Sequence, residues 1–208
     1  MIFHCKHLAG LLTALLLVLS LGLQAQDMKQ KQETSEDAFR LVRNTVNDVL
    51  KILSDRKISE TEQRDKVYNI ISERINFQSM SRRIMATNWK KTSEKQKQEF
   101  QYLFREILLE SYWTRIRRYT DERVEYITGA VDKDNYATVD TIIVTESVEI
   151  PISYRMERID GKWMAYDFLV ESLSLVVNFR VEYRNIIKLF GIDGLLEHMK
   201  REVANFKI

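Results

Sequence analysis

The sequence predicts an α+β domain in which helices pack on a curved four-stranded antiparallel sheet. Three observations carry that expectation. Apolar residues recur at spacings of three and four from Ser35 to about Tyr119, the period shifts to two from Val124 to Glu171, and helical spacing returns after Ser174. Helices, then strands, then closing helices make the segregated arrangement of an α+β fold.

The first helix carries the stripe Phe39, Val42, Val46, Val49, Leu50 and Leu53. A second opens at Ser59-x-x-Glu62, a capping-box pattern that satisfies free amides at a helix start, and continues through Val67, Ile70, Ile71 and Ile75. Short helical turns are expected from Phe77 to Met85. Ser93-x-x-Gln96 then starts the longest helix, predicted to reach about Tyr119, with Phe100, Leu103, Phe104, Ile107, Leu108, Tyr112 and Ile116 on one face.

The strands follow as alternating runs. Val124 and Tyr126 mark the first, Val139, Thr141 and Ile143 the second, and Ile150, Ile152, Tyr154 and Met156 the third. A turn is expected at Asp132-Lys133-Asp134-Asn135, and Asp160-Gly161 is a hairpin signal before a fourth strand from Lys162 to Glu171. Pro151, the single proline, predicts an edge or a bulge in the third strand. A helix from Ser174 to Phe190 should stop at Gly191, with a last helix after Asp193.

Residues 1–25 combine a basic start at Lys6, an apolar run from Leu8 to Leu23 and a small residue at Ala25, the pattern of a cleavable secretory signal peptide. The run is shorter than the roughly 18 to 20 apolar residues a membrane span needs. Residues 26–34 read as a flexible polar tether, leaving 35–208 as one domain. The single cysteine, Cys5, lies within the signal, so the exported chain is expected to have no disulfide and to rely on its own core. The periplasm is the compartment this suggests. Lys6 is the one charged side chain in the signal, so the remaining 31 basic and 30 acidic residues give a formal charge of +1. That balance gives no general attraction to nucleic acid. The local basic clusters Arg82-Arg83, Lys90-Lys91 and Arg115 to Arg118 read as solvated helix faces.

Beyond the signal there is one histidine, His198, and no cysteine, which removes Ser-His-Asp and Cys-His nucleophilic sites and ordinary zinc sites. The glycines at 129, 161, 191 and 194 form neither a Walker loop nor a dinucleotide fingerprint. Carboxylate chemistry survives this inventory. Asp140, Asp167 and Glu171 lie on or near strands, and Tyr112, Tyr154 and Tyr166 are available as oxyanion donors for isomerisation at a carbonyl.

Ile75-Asn-Phe77 followed by Met80-Ser-Arg82 and Trp89 resembles the Phe-x-x-Met-Ser-Arg segment of the MlaC, or toluene-tolerance, family. Ile150-Pro-Ile-Ser-Tyr-Arg-Met156 is similar to that family's Ile-Pro-Val-x-Tyr strand. Most specific is the block Gly161-Lys-Trp163, Tyr166-Asp167, Val170-Glu-Ser-Leu-Ser-Leu-Val176 and Asn178-Phe-Arg180. The likeness runs in order from about Val42 to Met199. One departure is Ser172, where the family usually has glycine; if that position takes a positive φ, serine costs about 1 kcal/mol or shifts the turn.

The resemblance implies a nuclear-transport-factor-two-like cone with a deep apolar cavity. It also implies a periplasmic phospholipid carrier that maintains outer-membrane lipid asymmetry. Implied partners are an outer-membrane lipoprotein complex and an inner-membrane ABC-type transporter with a mammalian-cell-entry domain. No cofactor and no enzymatic activity are expected, the bound ligand being the phospholipid, and the protein is expected to act as a monomer. A hopanoid or other apolar lipid is the alternative cargo, and a small Asp/Tyr cavity enzyme the alternative activity.

A two-tailed lipid crossing water exposes roughly 30 methylenes at about 0.8 kcal/mol each, on the order of 25 kcal/mol, so a carrier must supply an equally apolar lining. The inward strand face, Val139, Ile143, Ile150, Ile152, Tyr154 and Met156, is expected to provide it together with Phe104, Leu108 and Tyr112. Tyr166 and Phe168 join if the last strand keeps its even-numbered residues inward. The charged head should stay at the mouth in contact with water. Arg180, Arg82 and Arg155 are candidates for meeting its phosphate, and each reads equally well as a surface ion-pair member.

Overall fold

A computed structural model describes residues 35–117, 123–133 and 135–206. The expected signal peptide, the tether and Tyr119 lie outside them. Helix α1 spans 35–54, α2 Glu60–Arg74 and α3 Phe77–Met85; a 3-10 turn over Ala86–Lys91 leads to α4, Glu94–Ile116. Local chemistry sets these boundaries. Ser59 Oγ accepts the Glu62 amide at 3.2 Å to start α2, and at α4 Ser93 and Gln96 form both halves of a capping box. The side-chain amide of Gln63 reaches the Ile52, Leu53 and Asp55 carbonyls at 3.0–3.2 Å, satisfying groups that α1 leaves open at its end.

Asn76 joins helices to sheet. Its Oδ1 accepts the Ser79 amide to cap α3, its own amide donates to the Ala165 carbonyl at 2.8 Å, and its Nδ2 donates to Glu157 at 3.1 Å. The expected short turns after Phe77 are therefore one anchored nine-residue helix.

The sheet is an antiparallel meander in the order β1 (Arg123–Lys133), β2 (Tyr136–Val144), β3 (Glu149–Ile159), β4 (Lys162–Val170) and β5 (Leu173–Ser174). The four expected strands are present, and β5 is a two-residue addition. It exists because Glu171 and Ser172, at φ 50° and 67°, turn the chain back so that Leu173 pairs with Val170. Asp160 and Gly161, at φ 50° and 77°, make the corresponding turn between β3 and β4. The turn expected over 132–135 is shorter than its sequence suggests, since Lys133 still pairs with Tyr136.

Three register shifts bend the sheet. Ile127 is extra between Tyr126 and Thr128, a second shift falls between Val131 and Lys133, and Tyr166 is extra between Ala165 and Asp167. Pro151 lies in the central β3 and not on an edge strand. Its carbonyl accepts the Glu171 amide at 3.0 Å, so its nitrogen faces the same side, where β4 is ending.

Helix α5, Leu175–Asn205, is two helical segments joined at Gly191, whose φ of 72° and ψ of −175° break the helix as expected. A Cβ at Gly194 would lie 2.4 Å from Phe190 Cβ, so both glycines are needed for that bend. The core forms where α3, the first half of α4 and α5 meet the inner sheet face. Phe77, Phe100, Phe104, Phe179 and Tyr183 contact one another there at centroid separations of 5.2–6.4 Å, over Ala137, Val139 and Met156.

Candidate functional site

The same sheet face is not closed along its whole length. Past Val139, β2 continues to Ile143 while β3 presents Ile150, Ile152 and Tyr154, and α1, α2 and the second half of α4 stand off from them. The space between is an open cleft of about 300 Å³, at the lower end of the usual range for ligand sites of about 300–1,000 Å³. Helix α1 contributes Leu41 to Leu53 positions, α2 contributes Tyr68 and Ile71, α4 contributes Leu108, Leu109, Tyr112 and Ile116, and Leu175 opens α5 beneath.

Two attachments hold α1 over the sheet. Gly129 brings it close to β1, since a Cβ there would sit 3.1 Å from Phe39 Cβ, and Ser35 Oγ donates to the Gly129 carbonyl. Farther along, the Tyr126 hydroxyl donates to Asn47 Oδ1 at 3.1 Å. A smaller buried cluster of Leu53, Val67 and Trp113, with Tyr68, Ile71 and Ile116 packed against it, adjoins the cleft wall.

The lining is almost wholly carbon. Its polar groups are the hydroxyls of Thr45, Tyr68, Tyr112 and Tyr154 and two guanidinium groups, Arg74 and Arg115; no carboxylate is present among the described lining residues. Burial pushes the Tyr154 phenol up to about 12, partly offset by the neighbouring Thr141 hydroxyl. Burial also raises Tyr112, against the opposing effect of Arg115, whose guanidinium lies 5.4 Å from the Tyr112 ring centroid. Both phenols are neutral at physiological pH, so they add no negative charge.

Of the residues expected to line a cavity, Leu108, Tyr112, Ile143, Ile150, Ile152, Tyr154, Met156 and Phe168 do so. Phe104, Val139 and Tyr166 stand elsewhere. Phe104 and Val139 are fully enclosed in the aromatic core, Phe104 against Phe179 at 5.2 Å. Tyr166 is the bulge residue of β4, so it and Phe168 do not share a face although both are even-numbered. Its ring packs against Arg83, 4.0 Å from the guanidinium, and Tyr136.

The arginines considered for a head group are also placed elsewhere. Arg180 Nε donates to the Arg83 carbonyl at 2.8 Å and ties α5 to α3, Arg155 reaches Asp167 at 3.4 Å, and Arg82 is exposed on α3 outside the cleft. Nor are the basic clusters uniformly solvated: Arg83 pairs with the buried Glu157 at 3.2 Å, and Arg115 lines the cleft.

Asp167 is 3 % exposed and fully engaged. Its Oδ1 accepts the Phe168 and Val176 amides at 2.9 and 3.1 Å, and its Oδ2 accepts the Ser174 hydroxyl at 2.7 Å and Arg155. It fixes the bulge to the start of α5, where a helix favours negative charge. An Asp167–Tyr166 pair acting on a substrate in the cleft therefore has no geometric basis: one side chain is consumed in capping and the other points to Arg83.

Sequence reasoning missed the α1 and α2 walls, because their apolar stripes have the same period as helices packed in a closed core. It also missed Arg74 and Arg115. The available signal was a cation in the last turn of each amphipathic helix, adjacent to its apolar stripe.

Comparison with known proteins supplies the remaining evidence. Over 147 residues the chain is 22 % identical to the toluene tolerance protein ttg2D of Pseudomonas putida, covering 69 % of this chain and 68 % of that protein. Over 143 residues it is 20 % identical to the intermembrane phospholipid transport system binding protein MlaC of Haemophilus influenzae, covering 66 % and 67 %. Its fold is similar to that of a phospholipid-binding protein from Ralstonia solanacearum solved in complex with a phospholipid. That likeness has a TM-score of 0.75 at 22 % identity, over 83 % of this chain and 99 % of the other. Residues 43–201 match the family model described as MlaC protein, and the chain belongs to the MlaC family.

Proposed function

We propose that this protein is a periplasmic phospholipid carrier that moves lipid between the outer and inner membranes, with acyl tails in the cleft and the head group at its mouth. The observation that carries this reading is an open, nearly all-carbon cleft retained beside a closed aromatic core. An apolar surface of that size left facing water is unfavourable unless something covers it. Family membership and the names of the relatives supply the class of ligand.

The cleft offers a tail a medium like the membrane interior, which removes the large cost of carrying methylenes through water. Loading and unloading then become nearly balanced exchanges, and direction is set by docking partners. An outer-membrane lipoprotein complex and an inner-membrane ABC-type transporter with a mammalian-cell-entry domain fit that role. Among the described residues no helix is long and apolar enough to cross a membrane. Membership in the MlaC family, with relatives named for phospholipid binding and transport, supports action by binding without chemistry.

The test is solvent extraction of protein recovered from its native host, followed by mass spectrometry. A glycerophospholipid near one equivalent is expected. Recovery of no lipid would overturn the reading, and a phosphorus-free polycyclic triterpenoid would replace phospholipid with a hopanoid.

A further inference from the structure

The two most exposed large apolar side chains among the described residues are neighbours in sequence. Leu189 is 72 % exposed and Phe190 69 %, and they close the first segment of α5 just before Gly191 turns the chain. The second segment folds back to bury Leu195, Leu196 and Met199, and Gly194 leaves the room that Phe190 Cβ needs. The bend therefore holds both side chains at a convex corner, where water covers most of their surface.

Lysines gather at the same end of the molecule. Helices α3 and α5 both start beside β4, where Asn76 donates to the Ala165 carbonyl and Ser174 to Asp167, and they run the same way, with Arg180 Nε donating to the Arg83 carbonyl. Helix α4 runs back against α5: Phe104 meets Phe179, Phe100 meets Tyr183, and Gln96 Nε2 donates to Asp193 Oδ1 at 2.7 Å. The 3-10 turn and the start of α4 thus arrive beside the corner, tied to each other by Lys97 Nζ, 5.2 Å from the Trp89 ring centroid. They bring Lys90, Lys91 and Lys95, and α5 adds Lys188; all four are exposed and, among the described residues, none is in an ion pair. The acidic groups there are Glu94, paired with Lys97 at 2.7 Å, and Asp193, which accepts Gln96. Four unpaired cations face one carboxylate that has no cationic partner.

Two side chains at a corner are too small an area for a stable protein interface, which takes roughly 800 Å² from each partner, and a convex point offers a peptide no groove. Apolar residues ringed by lysines suit a bilayer surface instead. The hydrocarbon boundary takes the apolar groups, and the lysine stems let their ammonium groups stay among anionic head groups.

We propose that the Leu189–Phe190 corner docks the protein on anionic lipid surfaces, with the two side chains entering the interface and the four lysines meeting head-group phosphates. The cleft is built on the second half of α4, toward the other end of that helix, so docking holds the protein at a membrane while leaving the cleft free. The corner recognises the membrane as a surface, independently of what the cleft holds.

The test is co-sedimentation with vesicles of phosphatidylcholine alone and of phosphatidylcholine with phosphatidylglycerol, at low and high salt. Attachment to the phosphatidylglycerol vesicles is expected, weakening as salt rises. Leu189→Ser/Phe190→Ser should reduce it roughly tenfold or more at either salt. Lys90→Gln/Lys91→Gln/Lys188→Gln should reduce it by roughly tenfold or more at low salt and little at high salt. Both variants should keep the melting temperature and the lipid recovered by solvent extraction, because the altered side chains are exposed and outside the cleft. Attachment to neither vesicle, equal attachment to both, or attachment unmoved in the serine variant would overturn the proposal. Attachment only to vesicles that carry membrane proteins would give the corner to a protein partner, and a dimer abolished by the serine variant would give it to a second copy; either overturns the lipid assignment. All of these outcomes leave the carrier reading standing, since the extracted lipid alone decides that.

Discussion

Helix α4 runs through two environments that its sequence does not distinguish. Its first half sets Phe100, Leu103, Phe104 and Ile107 into a closed core, and its second half sets Leu109, Tyr112 and Ile116 along an open cleft. The sheet divides in the same way, with Ala137 and Val139 enclosed and Ile143, Ile150 and Ile152 facing the cleft. The stripe is equally apolar on both sides. What differs is the opposing element: α3 and α5 bring aromatic rings into contact, whereas α1 and α2 are held at a distance by their attachments to β1 and α4. A binding site here is an apolar face whose partner has been kept away.

The comparison yields its largest expected effect when matched truncations are made at the two ends. Phe104→Ala should cost about 3–5 kcal/mol, since a void among packed rings cannot collapse, and should lower the melting temperature by roughly 10 °C. Ile150→Ala, on a wall already facing open space, should cost about 1 kcal/mol or less of lipid-free stability yet weaken lipid binding. Equal losses in thermal unfolding would mean that the cleft is packed in solution.

Asp167 joins the two ends, because the helix it caps starts beneath the cleft and runs back into the core. Asp167→Ala should cost about 3 kcal/mol in denaturant unfolding, leaving the Val176 amide and Arg155 without their buried acceptor. Activity lost without stability loss would revive a chemical role for this carboxylate.

Tyr154 lies on the boundary, packed against the core and lining the cleft. With its phenol held near 12 in the folded state and near 10 when unfolded, its contribution is complete below pH 10. As pH rises from 10 to 12 the unfolded chain releases the proton first, so stability should fall by on the order of 2 kcal/mol. Tyr154→Phe should flatten that part of an alkaline unfolding profile.

The smallest effects concern strain, one site at each end. Ser172 at the β4–β5 turn has φ 67°, and Ala86 after α3 has φ 48° with ψ −120°. Ser172→Gly and Ala86→Gly should each stabilise by about 1 kcal/mol, read as a higher denaturant midpoint at unchanged slope. The β3–β4 turn already has glycine at the position equivalent to Ser172.

The fold was legible because its periods persist. The shift from helical to alternating spacing after residue 123 is long, and the Ser93–Gln96 cap and the Asp160-Gly161 turn have direct local mechanisms. The candidate site was legible only in part, for a physical reason. A bulge reverses which residues face inward, so Tyr166 and Phe168 separate, and no count of alternating residues reveals it. Depth along a helix is also invisible to periodicity, which is why Phe104 and Leu108 read alike. The most family-like block, from Gly161 to Arg180, holds Trp163, Asp167, Ser174 and Arg180, residues that fasten β4 and α5 to their neighbours more than they line the cleft. The α1 and α2 walls carry no such pattern.

The central claim is that the open end holds lipid tails and the aromatic end does not. The most direct measurement is photo-crosslinking with a phospholipid bearing a diazirine near the end of one tail, followed by peptide mapping. Adducts are expected on the cleft walls, at Val49, Leu109, Ile116, Ile150 or Val170. Adducts concentrated on Phe100, Phe104 or Phe179, or confined to surface residues, would contradict the account.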